Sequence, residues 1–550
     1  MAHKRKKTQS GAPYLFNDTH MELTNPAVWY EAHLKTPQFE LYGHFVSGLP
    51  FALLGQNRQF AWGLTMFEND DMDFFEERVN PEDENQVWFK DHWENLDTEI
   101  ETINVKNQKP VKYQVRSSRH GPIVNDILFG LESNINPISM WWGAFDTSND
   151  LLRGFYGLSH STDLEKFKDS ISKIKSPGLN ILYASAKGDI AIWSAGLVPV
   201  RPKHTRGYTL LDGSSGKDEY LGFYSVDELP HIVNPESGVI VSANESPEGK
   251  GFKGISGYYA PDFRADRIHA VLSKKEKWSI DELKNLQNDD KSEYSLKIKK
   301  MMISILEGDD SLSEVEREAL SLLARWEGTY GIEEIGSTVF YEFLPILALE
   351  VFADEVGDER YVLLSQSSFF SAALPEILTD TNSPWWNNVN TPVKETQNEL
   401  VLKSWKAAVA NLKKRFGSNP DSWHWGRVHT LLLEHPVAEE IPVLGKLLNI
   451  GPFKVAGSRE VVNNLSFPFS RGDHAVSIGP STRRAIDMAA PQGSYGINTS
   501  GQSGFFLDKH YDDQAMMFSK GEYRQHFFDK KDIMKNALGK LIILPSEAAQ

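Results

Sequence analysis

The sequence predicts a mixed α+β protein whose strands and helices are segregated along the chain. Three observations carry this. Short runs rich in Val, Ile, Tyr and Phe, punctuated by Gly, Pro and Asn, fill the first half; apolar residues at helical spacing take over near residue 278; strand-like pieces return after about residue 450. The expected organisation is a β-rich core over residues 1–277, a mainly helical insertion over 278–450 and a return to the core over 451–550.

In order, PYLFND, VWYEAHL, FELYGHFV and FALLGQN read as consecutive short strands. INV, KYQVRS, GPIVND, NILYAS, DIAIWS and GVIVSAN continue the pattern, and SAKGD is a hairpin turn between two of them. STDLEKFKDSISKI interrupts as an amphipathic helix behind a polar start. SIDELKNLQ, EYSLKIKKMMISILE, SEVEREALSLLARW, YEFLPILALEVFAD and ELVLKSWKAAVANLKKRFG are expected helices, several with Ser at the N-cap, and NTPVKETQ is a loop. FKVAG, HAVSIG and SYGIN bring strands back. There is no internal repeat and no long low-complexity linker, which favours one interwoven unit.

Composition narrows the function classes. A formal net charge of -17 argues against a nucleic-acid binder, which needs clustered cations. The basic run Lys4–Lys7 reads as a solvated terminus. No uninterrupted apolar run approaches the length of a membrane span, so no membrane partner is expected. With no cysteine, nucleophilic chemistry falls to Ser, Thr, His, carboxylates or the backbone. The amino end lacks the apolar segment of a signal peptide, so a cytoplasmic location is expected if the chain as written is complete.

Two stretches could carry chemistry. In FENDDMDFFEE, Asp70, Asp71 and Asp73 place three carboxylates within four positions, a donor set suited to a hard cation or to a solvated acidic turn. In VNPESGVIVSANESP, a strand delivers Asn244 at its terminus, where an amide either stabilises a turn or donates to an oxyanion. RADR sets two arginines at helical spacing. HExxH, GxSxG, GxGxxG and Walker patterns are absent. The aromatic runs ISMWWGAF and SWHWGRVHT suit a core or a stacked ligand.

Taken in order, NDTHMELTNPAVWYEAHL, GLPFALLGQNRQFAWGLTMFENDDMDFFEE, SRHGPIV, GLNILYASAKGDIAIWSAG, VNPESGVIVSANESP, FRADRI, SWHWGRVHT and SGQSGFFLDKHYDDQ resemble the penicillin acylase family of N-terminal nucleophile hydrolases. That family includes penicillin amidases and acyl-homoserine-lactone acylases. The resemblance implies an α+β fold, a four-layer αββα sandwich with a helical insertion. It also implies hydrolysis of a linear amide, a carbon–nitrogen bond other than a peptide bond. In the family, the first residue of the β subunit, a serine, attacks the carbonyl while its own amino group serves as base.

Carried onto this chain, the resemblance implies Asn244 and the backbone N–H of Met66 as oxyanion donors, His20 beside the terminal amine, and Arg267 supporting the asparagine. It places Met21, Leu54, Leu64 and Leu179 around the acyl group, and four apolar residues imply an apolar acyl chain. Asp70 and Asp73, with Met72 and Pro199, match a structural calcium site of some members; no organic cofactor is implied. By the family spacing, the nucleophilic serine falls about three residues ahead of Met1. The expectation is therefore a β-subunit portion whose α subunit and serine are encoded upstream, acting on a small-molecule amide in the periplasm or outside the cell. The alternative is a catalytically inactive ligand-binding or interaction protein of the same fold.

Overall fold

The computed structural model describes residues 1–125, 127, 136–252, 254–469 and 472–544, so Asp126 at the end of the GPIVND run lies outside the described residues. Two sheets face each other. The first contains β1 (Ala2–His3) and β2 (Tyr14–Glu22) in a six-stranded array ordered Val239–Ile240, β1, β2, Ile478–Asp487, Tyr495–Asn498, Arg524–Gln525. The second contains β3 (Tyr30–Lys35), β4 (Glu40–Phe45), β5 (Leu54–Gln56) and β6 (Phe60–Met66). Its order is His231–Val233, Ile190–Ala195, Leu179–Ser185, β6, β5, β4, β3. β7 (Met72–Glu76) leaves β6 and pairs with Ile138–Trp142 in a small separate sheet.

The layering follows from alternation along the strands. Leu15 of β2 points inward and joins Ala61, Leu182, Ala184, Ile192 and Ile486 in the seam between the sheets. Its neighbours Tyr14 and Phe16 point outward, against α3 (Phe263–Leu272) and α4 (Ile280–Gln287), through Ile268 and Leu283. On the far side, Phe60, Trp62 and Ile181 pack on α1 (Leu151–His160) and α2 (Leu164–Ile171) through Phe155 and Phe167. The result is helix, sheet, sheet, helix.

Two polar side chains, Asn17 and Arg484, bond across the seam to main-chain groups of β6. The β5–β6 ladder ends at Gly55 opposite Trp62, and beyond it Asn17 reaches across from the other sheet. Its Nδ2 donates to the Leu64 carbonyl at 2.8 Å, and its Oδ1 accepts from the Leu64 N–H at 3.3 Å. Arg484 similarly donates to the Trp62 carbonyl at 2.9 Å.

Residues from Glu293 to Phe416 form a helical body around a core of Trp405, Trp425, Tyr330 and Phe340. Reciprocal caps start several of its helices: Ser313 with Glu316, and Thr396 with Glu399, as Ser279 and Glu282 do for α4. The helix Gly336–Val356 is long and apolar enough to cross a bilayer by length and composition, and Gly336 through Ala348 are buried in this body.

Candidate functional site

One cavity of about 600 Å³ opens between the two sheets and the helical body, and residues expected from the sequence meet in it. Asn244, Met66 and His20 all line it, as do Met21, Leu64 and Leu179. Each arrives by a local feature. His20 follows an irregularity in the pairing of β2 with Ile478–Asp487, where Asp18 faces Arg483 and His20 faces Pro480; the extra residue on the partner strand re-aims the histidine. Met66 closes β6.

Asn244 lies just past the strand Val239–Ile240, in the left-handed region at φ 68°, a conformation asparagine tolerates better than most residues. Its orientation is fixed by α3. Arg264, only 8% exposed, donates through Nη2 to the Ala243 carbonyl at 2.7 Å and to Asn244 Oδ1 at 2.9 Å. Because a guanidinium only donates, Oδ1 must be the amide atom facing it, and the NH2 group is turned the other way. Nδ2 then donates to the Met66 carbonyl at 3.1 Å, which also accepts from Asn180 Nδ2 at 3.2 Å. The second hydrogen of the Asn244 amide remains for an acceptor in the cavity.

The expectation for Arg267 needs correction. It forks onto Asp289, Nε to Oδ1 at 2.9 Å and Nη2 to Oδ2 at 2.6 Å, and so ties α3 to the segment after α4. Arg264, three positions earlier on α3, supports Asn244 instead. A second correction concerns Leu54, which is fully buried in the core behind the cavity; Leu53 lines it in its place. Adjacent residues of an extended segment point to opposite sides, so an offset of one residue exchanges wall for core.

Acidic groups edge the apolar wall. His20 Nε2 lies 3.6 Å from Asp18 Oδ2. Burial pushes the Asp18 carboxyl up, but the hydrogen bond and charge of His20, with Arg483 beside it, outweigh burial and leave it below the ordinary range. The Met1 main-chain nitrogen donates to the Phe16 carbonyl at 2.7 Å, and Met1 lines the cavity. Glu68, with φ 54°, also lines it; its Oε2 accepts from the Ala260 N–H at 3.1 Å, which also bonds the Asn244 carbonyl at 2.9 Å. Burial pushes Glu68 up to about 7, against the pull of Arg264.

The acidic run at 70–73 is also corrected. Asp70 and Asp73 do converge, but on Arg201: Nη2 lies 3.0 Å from Asp70 Oδ2 and Nε lies 2.9 Å from Asp73 Oδ2. Met72 and Pro199 sit in paired backbone, opposite Trp142 and Phe223 respectively. Among the described residues no three His, Asp or Glu side chains converge as a metal site. The donors therefore do not fit a divalent cation while the guanidinium is there.

Sequence reasoning missed Arg264, Glu68 and Arg201. The first lay in the RADR motif, where two arginines three apart are equivalent until the packing face is known. Glu68 sat inside an acidic run with nothing to single it out. Arg201 lies 128 residues from its partner Asp73, and no local pattern links them.

Comparisons with known proteins bear on the family and the fold. The family model described as Penicillin amidase matches residues 2–535. The acyl-homoserine lactone acylase QuiP of Pseudomonas aeruginosa is 26% identical over 564 residues, covering 96% of this chain and 66% of that protein. Penicillin G acylase of Escherichia coli is 21% identical over 579 residues, covering 96% of this chain and 63% of that protein. The chain thus spans about two thirds of the length of the curated relatives it matches. Among solved structures, a thermostable penicillin G acylase from Alcaligenes faecalis superimposes with a TM-score of 0.76 at 20% identity, covering 99% of each chain.

Proposed function

This chain belongs to the penicillin amidase family, and from that premise we propose that it is the oxyanion- and acyl-binding portion of a hydrolase that cleaves linear amides carrying an apolar acyl group. The observation that carries the reading is the amide of Asn244, turned by Arg264 toward a cavity walled by Met21, Leu64 and Leu179. A preset donor beside an apolar chain-binding wall suits an acyl carbonyl that becomes an oxyanion. The names of the relatives make N-acyl homoserine lactones and penicillin G the first substrates to try.

In the proposed reaction a serine oxygen adds to the amide carbonyl and the oxyanion settles against Asn244 Nδ2. The C–N bond then breaks, the amine leaves with the proton taken from the serine, and water hydrolyses the acyl ester. The same proposal holds that this chain is the β portion of a two-part acylase, with the serine about three positions ahead of Met1. The match to NDTH and the share of the relatives spanned support this.

The test compares the 550-residue chain with one bearing a free N-terminal serine at that position. Each is incubated with penicillin G and a series of N-acyl homoserine lactones, and released amine is measured. Turnover by the serine-bearing form alone is expected. If neither form turns over nor binds any acyl chain, the reading fails; binding without turnover in both would favour the inactive ligand-binding alternative.

A further inference from the structure

The acidic joint between β6 and β7 is built like a cation site that already holds its cation. Asp70 and Asp73 flank Met72, the first residue of β7, and Asp73 is 1% exposed. Arg201 comes from the segment after Ile190–Ala195, where Val200 pairs by its N–H with the Gly222 carbonyl and by its carbonyl with the Leu221 N–H. That pairing aims the guanidinium at the joint. Besides its two ion pairs, Arg201 donates to the Asp70 carbonyl at 3.2 Å and to Ser256 Oγ at 2.9 Å, and Tyr220 donates to Asp73 Oδ2 at 2.5 Å.

Around one buried side chain the fold therefore gathers two carboxylates, a main-chain carbonyl and two hydroxyls. Oxygens of this kind, six to eight in number, are what calcium takes. One more is in reserve: Asp73 Oδ1, buried, has no hydrogen-bond partner among the described residues. A planar guanidinium engages carboxylates only through its fork of N–H groups, whereas a spherical cation could use Oδ1 as well. One positive charge faces two carboxylates there, that of Asp73 buried and that of Asp70 partly exposed.

We propose that Arg201 is a built-in replacement for a divalent cation at this joint, and that removing its guanidinium turns the joint into a calcium-binding site. The inference does not depend on the catalytic reading, because it concerns only how β7 is anchored.

The test is thermal melting of the chain and of Arg201→Ala in EDTA and in 1 mM calcium, with terbium luminescence excited through neighbouring aromatic residues as a direct readout of occupancy. The unaltered chain should melt at the same temperature in both buffers and give no terbium signal. R201A should melt lower in EDTA, recover about 2 °C or more in calcium, and light terbium with one ion per chain. Calcium stabilisation of the unaltered chain, or a folded R201A that binds neither ion, would overturn the proposal. If R201A fails to fold in either buffer, the charge-free combination R201M/D70N/D73N decides: cooperative folding supports the ion-replacement account, and its loss rejects it.

Discussion

The guanidinium of Arg264 meets the amide oxygen of Asn244 at 2.9 Å, and this contact determines which end of the amide faces the cavity. Asn244 pays for its position with a left-handed backbone at φ 68°, so the site holds both its side chain and its main chain in a preset state.

Removing the donor should therefore slow chemistry rather than binding. In the serine-bearing form, Asn244→Ala is expected to lower kcat by about 100- to 1000-fold with KM nearly unchanged. Arg264→Met should cost about 10- to 100-fold, since the amide is free to turn. The double variant should be no worse than N244A alone, because the arginine acts through the asparagine. Steady-state kinetics on the three variants check this, and additive losses would refute it.

The acyl wall makes a second expectation. Leu179, on the strand beside β6, is 7% exposed and faces the cavity. Leu179→Trp should fill space that the far end of a long acyl chain needs. At about 0.8 kcal/mol per buried methylene, excluding four of them costs about 3 kcal/mol, or roughly 100-fold in affinity for a dodecanoyl chain. A butanoyl chain should lose little. Titration of the two fatty acids into each protein measures the difference, and an equal loss for both would show that the wall is elsewhere.

The distribution of elements was legible in the sequence because period-two and helical spacing are local signals. GVIVSAN was legible as a strand leading toward Asn244, although only Val239 and Ile240 pair in the sheet. What the sequence left open was facing. Arg264 and Arg267 differ by less than one helical turn, and only the packing of α3 on the sheet shows which one reaches the asparagine. Leu53 and Leu54 differ by one step of the pleat. The joint at Asp70 and Asp73 depended on a cation supplied from a distant strand end, and acidic spacing alone reads as a metal site whether the charge is neutralised by calcium or by Arg201.

Asn17 supports the wall from behind. Its amide bonds both main-chain groups of Leu64 where the β5–β6 ladder has run out. Asn17→Ala leaves a buried N–H and C=O unpaired, and a loss of about 1–3 kcal/mol is expected. Chemical denaturation measures it. Because Leu64 faces the cavity, acyl binding should weaken in the same variant, which a purely remote stability defect would not cause.

His120 makes one pH-dependent contribution to stability. Its ring, stacked on Phe75, bonds Glu77 Oε1 through Nδ1 and Glu219 Oε1 through Nε2, each at 2.8 Å. Burial alone would lower its affinity for a proton, but the hydrogen bonds it donates to Glu219 and Glu77 prevail and push it up to about 9. The charged groups facing it are these two glutamates, with Arg119 and Lys90 acting on Glu219. A histidine held above its unfolded value stabilises the fold fully below about pH 6.5, and that contribution disappears as pH rises through 9. The shift corresponds to stability on the order of 3 kcal/mol. His120→Gln should therefore be less stable than the unaltered chain at pH 6, with the gap closing between pH 7 and 10. Denaturation midpoints across that range measure it. A gap that stays constant with pH would mean that the ring is held by packing on Phe75 and not by its charge.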